Sequence, residues 1–145
     1  MTAVIGVDHG SRRIGLAVGD TVIAMAFARP ALRVRGAASA AEAIRRLADQ
    51  EGAALVVVGL PFNADGSEGT QADAARAFGK RLAALGLEVV YEDERLSSWA
   101  AGELLSAAGR RPERGSGELD SAAARLILQQ YLDARRSPGR LEETR

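Results

Sequence analysis

The sequence predicts an α/β domain built on a mixed five-stranded sheet with helices on its faces. Three observations predict it. Three apolar, β-branched runs follow one another through short turns near the N-terminus, the pattern of an antiparallel meander. Two later apolar runs alternate with helical patterns, so the chain returns in parallel through helical crossovers. The length of 145 residues, nearly half of them apolar, suits one domain with one core.

The first two runs are Val4 to Val7 and Ile14 to Val18, bounded by glycines and joined by a Gly/Ser/Arg turn. Asp8 closes the first. A carboxylate at the end of an apolar strand is costly to bury unless it is paired or holds a metal. Two readings are open. Asp8 caps the turn through the N–H groups of Gly10 or Ser11, or it belongs to a site. Gly6 and Gly10 favour the site, because they clear side chains from either side of the carboxylate where a metal or phosphate must approach. The third run (Val22, Ile23, Met25, Phe27) reads as an antiparallel strand within Thr21 to Arg35, continuing past Pro30 near the sheet's end.

Ser39 and Glu42 fit a capping box, and Ala40, Ile44 and Leu47 then give a helical face up to Gly52. Ala53 to Gly59 is a continuous apolar run, as expected of a strand buried on both faces. Gly59 to Gly69 is a loop feeding a helix that ends near Leu85 and Gly86. Pro61, Asn63 and Gly66 set its turns, and Asp65 with Glu68 fits a capping pattern. The loop is either an ordinary connection or one that contacts phosphate or base, since helix N-termini attract anions.

Leu87 to Tyr91 is the fifth strand, followed at once by Glu92, Asp93 and Glu94. Three consecutive acids repel one another unless something positive sits among them. A solvated charge run, neutralisation by Arg95 and a divalent metal are the alternatives. Strand alternation puts Glu92 and Glu94 on one side and Asp93 on the other, so at most two share a site. A helix is expected over Ser97 to Ala108, with Trp99 near its start. The basic segment Gly109 to Gly117, carrying Arg110, Arg111 and Arg114, reads as a surface loop or as a clamp on a substrate. The last helix is Leu119 to Leu132, with Asp120 in its first turn, where an N-cap is the default role. Arg135 to Arg145 reads as a flexible tail, which leaves residues 1–134 as the single domain.

Composition sets bounds on function. The chain has no cysteine, which excludes disulfides, thiolate catalysis and zinc–sulfur sites. It has no apolar run long enough to span a membrane and begins on a strand rather than a signal peptide, so a cytoplasmic protein is expected. Formal net charge is zero, yet Lys80 is the only lysine and the arginines gather at Arg12/Arg13, Arg29/Arg33/Arg35 and Arg110/Arg111/Arg114. Local basic patches bind a polyanion while the total stays neutral.

Four segments in register carry a resemblance that covers Val4 to Leu132. They are Gly6-Val-Asp-His-Gly-Ser-Arg-Arg-Ile-Gly-Leu-Ala-Val, Val58-Gly-Leu-Pro-Phe-Asn-Ala-Asp-Gly-Ser, Asp93-Glu-Arg-Leu-Ser and Leu119-Asp-Ser-Ala-Ala-Ala. Together they resemble the YqgF/RuvX family of the ribonuclease H-like superfamily. The resemblance implies that Asp8, the Asp93–Glu94 acids and Asp120 converge to hold two divalent ions, Mg²⁺ or Mn²⁺. Such a pair activates water and stabilises the leaving oxygen of a phosphodiester. Asp8 is the candidate bridge. Glu94 is preferred to Asp93 for its longer reach, and Asp120 completes the set. Asn63, Arg13, Arg95, Arg110, Arg111 and Arg114 are the candidate substrate-binding residues, with structural ion pairing the alternative for Arg13 and Arg95.

His9 departs from the apolar or small residue common at its position, and strand alternation points it away from Asp8, in a structural role. The resemblance implies either of two substrates. One is the 5′ end of pre-16S ribosomal RNA, with the ribosome as a partner. The other is a four-way DNA junction, whose symmetric cleavage needs a dimer. The sequence shows no obvious dimerisation element, so a monomer or weak homodimer is expected. Two other readings are a lobe of the actin-like ATPase and sugar-kinase fold, and a nucleic-acid-binding module without catalysis. The first lacks its second phosphate hairpin, and the second does not explain three carboxylate positions.

Overall fold

The computed structural model describes residues 3–94 and 117–135. Its elements are β1 (Ala3–His9), β2 (Arg13–Asp20), β3 (Met25–Arg33), α1 (Ala37–Glu51), β4 (Leu55–Leu60), α2 (Thr70–Ala84), β5 (Glu88–Asp93) and α3 (Glu118–Arg135). They form one sheet in the order β3-β2-β1-β4-β5. The first three strands are the expected antiparallel meander, and β4 and β5 add in parallel beside β1.

Alternation along the strands divides the core in two. Ile5, Val7, Ile14, Leu16, Val56 and Val58 pack under α1 and α2, against Ile44, Phe78 and Leu82. Val4, Ala17 and Val57 face α3 and its Ala124, Ile127 and Leu128. The second face is flatter because its β1 and β2 positions are small. A Cβ at Gly6 would stand 2.8 Å from Leu128 Cβ, and one at Gly19 would stand 3.0 Å from the Leu128 and Leu132 side chains. Gly6 therefore seats a helix rather than a ligand, which corrects its expected role. Gly10 is likewise structural: a Cβ there would lie 2.5 Å from the Arg13 carbonyl, across the β1–β2 turn.

Polar side chains lace α3 to this face. Ser121 Oγ donates to the Arg29 carbonyl at 2.7 Å. The Gln129 amide donates to the Ala24 carbonyl at 2.8 Å, and its oxygen accepts the Ala26 N–H at 2.9 Å. These bonds answer backbone groups that would otherwise be left without partners at one end of β3.

Several local expectations are corrected. β3 begins only at Met25, because the Asp20 carboxylate accepts the Val22 N–H at 2.7 Å and turns the chain. As expected, β3 continues past Pro30, where the pairing slips between Ile14 and Leu16, as fits a residue with no N–H to give. No capping box forms at Ser39: α1 starts at Ala37, and Ser39 Oγ donates to the Gly36 carbonyl instead of accepting a helix N–H. Asp65 and Glu68 do not cap α2 either. Asp65 accepts from the N–H and hydroxyl of Ser67, and Glu68 pairs with Arg76 through two 2.8 Å bonds. β5 runs on through Asp93, and α3 from Glu118 to Arg135. The expected helix with Trp99, residues 109–116 of the arginine-rich segment, and residues 136–145 of the tail lie outside the described residues.

Val22 and Ile23 of the β2–β3 turn and Met25 and Phe27 of the outermost strand, β3, are exposed. Among the described residues no helix is long and apolar enough to cross a membrane.

Candidate active site

Asp8 leaves β1 on the α3 side, half-buried, with a glycine on each neighbouring strand. It pairs with Gly15 of β2, and the parallel register that aligns Val7 with Val58 brings Gly59 of β4 beside it. Each glycine makes room for another acid. A side chain at Gly15 would overlap the backbone carbonyl of Asp120, so its absence lets the first turn of α3 settle beside Asp8. A side chain at Gly59 would overlap Glu94 Oε2 and approach Ile127 Cδ1 to 2.5 Å, so the vacant volume holds the Glu94 carboxylate. Sheet pairing continues one residue past β5, with the Glu94 N–H donating to the Leu60 carbonyl at 3.2 Å. The Gln130 amide fixes that end, donating to Glu92 Oε2 at 2.6 Å and to the Asp93 carbonyl at 3.2 Å.

Asp8 and Glu94 meet. Burial pushes the Asp8 carboxyl up to about 8, helped by the charge of Glu94, a hydrogen bond to Glu94 and the charge of Asp120. Burial also raises Glu94, the hydrogen bond from Asp8 works against that rise, and the nearby charge of Asp93 adds to it. Two carboxyl groups so placed share one proton near neutral pH. Glu94 Oε2 is buried with no hydrogen-bond partner. Asp120 Oδ2 accepts from Arg13 Nε at 3.3 Å.

Among the described residues no three side chains are close enough to chelate one ion as they stand. The donor set nonetheless fits a hard cation. It consists of carboxylate oxygens on two strands and a helix, and one is an orphaned buried oxygen that a cation would satisfy. Asp120 would join by turning from Arg13.

The remaining candidates fall into three groups. Arg13 pairs across the sheet with Arg33, and the Arg12 carbonyl accepts the Val34 N–H at 2.8 Å, so a basic rim borders the acidic end of β1. Asn63 builds its own loop. Its Nδ2 donates to Ser67 Oγ at 3.0 Å and its N–H to the Ser67 carbonyl at 2.8 Å, beside a cavity of about 270 Å³ lined also by Phe62 and Gln71. Arg95, Arg110, Arg111 and Arg114 lie outside the described residues. His9 points to the opposite face, with its ring 4.9 Å from Phe78, and burial lowers its pKa, which keeps it neutral. Sequence reasoning missed Gly15, Gly59 and Gln130 as positioning residues. The available signal was a glycine inside each of two apolar strands.

Residues 2–134 match the RuvX family, described as Holliday junction resolvase. The chain belongs to the RuvX family. This RuvX member is 43% identical over 143 residues to a Synechococcus elongatus protein named "Putative pre-16S rRNA nuclease", covering 98% of this chain and 96% of that one. An Anaeromyxobacter dehalogenans protein of the same name is 46% identical over 135 residues, covering 92% of this chain and 98% of the relative. Among solved structures, Thermus thermophilus RuvC in complex with a Holliday junction substrate superposes with a TM-score of 0.60 at 14% identity, covering 94% of this chain and 96% of that one. A fowlpox virus resolvase bound to junction DNA gives 0.56 at 8% identity, covering 94% and 100%. The RuvX member thus has the ribonuclease H-like fold of these resolvases, and its family is one of nucleases.

Proposed function

We propose that this protein hydrolyses phosphodiester bonds as an endonuclease, with Mg²⁺ or Mn²⁺ held by Asp8, Glu94 and Asp120, and that its substrate is the 5′ end of pre-16S ribosomal RNA. The observation that carries the reading is the buried, unpartnered Glu94 Oε2 against Asp8, at the end of a strand bordered by arginines. Bound as a pair, divalent ions would activate the attacking water and stabilise the leaving oxygen. The chain's own part is to hold two acids at the end of a rigid sheet and the third in the first turn of α3, and to draw a polyanion to them through Arg12, Arg13 and Arg33. The ribosomal substrate rests on the name shared by the curated relatives. The domain comprises residues 1–134, acts in the cytoplasm and meets its RNA on a ribosomal precursor.

Junction resolution is the second reading. It is favoured by the exposed strip of Val22, Ile23, Met25 and Phe27, an apolar surface on which two copies can pair as symmetric cleavage requires. If that is its use, sedimentation shows a dimer that Phe27→Glu converts to monomer, with junction cleavage lost and melting unchanged. A monomeric wild type removes the support for this reading.

The deciding assay offers a labelled precursor ribosomal RNA fragment and a four-way DNA junction, with Mn²⁺ and with EDTA. Cleavage of the RNA alone, abolished by EDTA and by Asp120→Asn, is the expected result. Metal-independent binding of both without cleavage would instead identify a binding module.

A further inference from the structure

We infer that Arg13 is a positioning residue that holds Asp120 while no cation is bound and turns to the substrate phosphate when a cation takes that carboxylate. The inference rests on the nuclease reading above and adds a coupling between metal and strand.

The charges argue for it first. Three carboxylates converge at this end of the sheet, and Asp120 is close enough for its charge to act on Asp8. Without a cation, the guanidinium of Arg13 offsets the charge of Asp120. A cation at Asp120 takes its place, so the displaced guanidinium must find another partner. The nearest anion would then be the phosphate being cleaved.

The geometry makes the exchange easy. Arg13 reaches Asp120 through Nε at 3.3 Å rather than through the bidentate fork, and the two side chains are 28% and 38% exposed. Such a contact is a weak one. The arginine stem is nonetheless guided. Gly117, with φ +81°, leaves space where a Cβ would stand 3.3 Å from Arg13 Cδ, just before α3 begins. The stem is confined while the head is free to change partner. Arg13 also pairs with Arg33 across β2 and β3, so the released guanidinium joins an existing basic rim.

The test uses the full chain in two titrations. Calorimetry measures Mn²⁺ binding, and fluorescence anisotropy measures a labelled, phosphorothioate-protected RNA strand with and without Mn²⁺. In Arg13→Gln, Mn²⁺ affinity should rise about two- to five-fold, the size of a lost exposed ion pair. The gain in strand affinity that Mn²⁺ gives the wild type should disappear in that variant. In Asp120→Ala, which releases Arg13 from the other side, metal-free strand binding should rise toward the wild-type level with Mn²⁺. The inference is overturned if Arg13→Gln leaves Mn²⁺ affinity unchanged or lower, or if it weakens strand binding equally with and without Mn²⁺. It is also overturned if Asp120→Ala leaves metal-free strand binding unchanged. Failure of the underlying reading looks different: wild type and Asp8→Asn would then bind Mn²⁺ equally weakly.

Discussion

Asp8→Asn protein should cleave neither substrate and yet melt higher than wild type in EDTA at about pH 8. The first half follows from removing the carboxylate at the centre of the acidic cluster. The second follows from linkage. The Asp8 carboxyl rises from 3.8 to about 8 in the folded chain, so between those values the folded state keeps a proton that the unfolded state has lost. Stability from this group is fully present below the lower value and is lost as pH rises through the higher one.

Asparagine fills the same volume without that loss. The metal-free proteins should therefore melt alike below about pH 4, and wild type should fall progressively behind as pH rises, by about 5 °C or more near pH 8. Saturating Mn²⁺ should reverse the order, because only the wild type gains stability from binding it. A melting series in EDTA and in Mn²⁺ checks both halves. An Asp8→Asn protein that is less stable at every pH without metal would show that Asp8 is held as a paired anion instead.

Gly59→Ala is expected to lower kcat about 100-fold or more, although it removes no functional group. The added methyl would occupy the place of Glu94 Oε2 and press on Ile127, and the mobile end of Glu94 gives way first. The expected stability cost is about 1–3 kcal/mol, within what an overpacked site usually loses. Gly15→Ala should be worse on both counts. Its methyl would meet the Asp120 carbonyl, and backbone cannot swing aside as a carboxylate can, so the start of α3 must lift from the sheet. Melting temperatures and single-turnover rates for the two variants separate the effects. A Gly59→Ala enzyme with wild-type kcat would mean that the position of Glu94 does not matter to the reaction.

Much of this was legible in the chain because the governing signals are local. Apolar runs, their spacing and the helical periodicities lead to the meander, the crossovers and the mixed sheet. The condition for alternation past Tyr91 also holds, since the sheet pairing does continue as far as Glu94. What was not legible depends on register and on packing between distant segments. Gly6 looked like a cleared approach to Asp8, but the neighbour that needs the space is Leu128, far along the chain. Gly15 and Gly59 gain their meaning only when the register sets them on either side of Asp8. The capping patterns at Ser39 and Asp65 failed for another reason. Glycines at 36 and 69 start both helices without a side-chain cap, and the short polar side chains turned to nearer partners.

The slipped pairing around Pro30 also governs how this protein can meet copies of itself. β3 is the outermost strand, and an outermost strand ordinarily offers a row of amide donors on which another chain can build. The slip in pairing bends the strand at Pro30, so the row is interrupted near its middle. Copies that gather on the apolar strip can do so through their side chains but cannot extend the sheet from one molecule into the next. Any association on this side would therefore rest on side-chain contact, without the unbroken edge that fibre-like growth needs as a template.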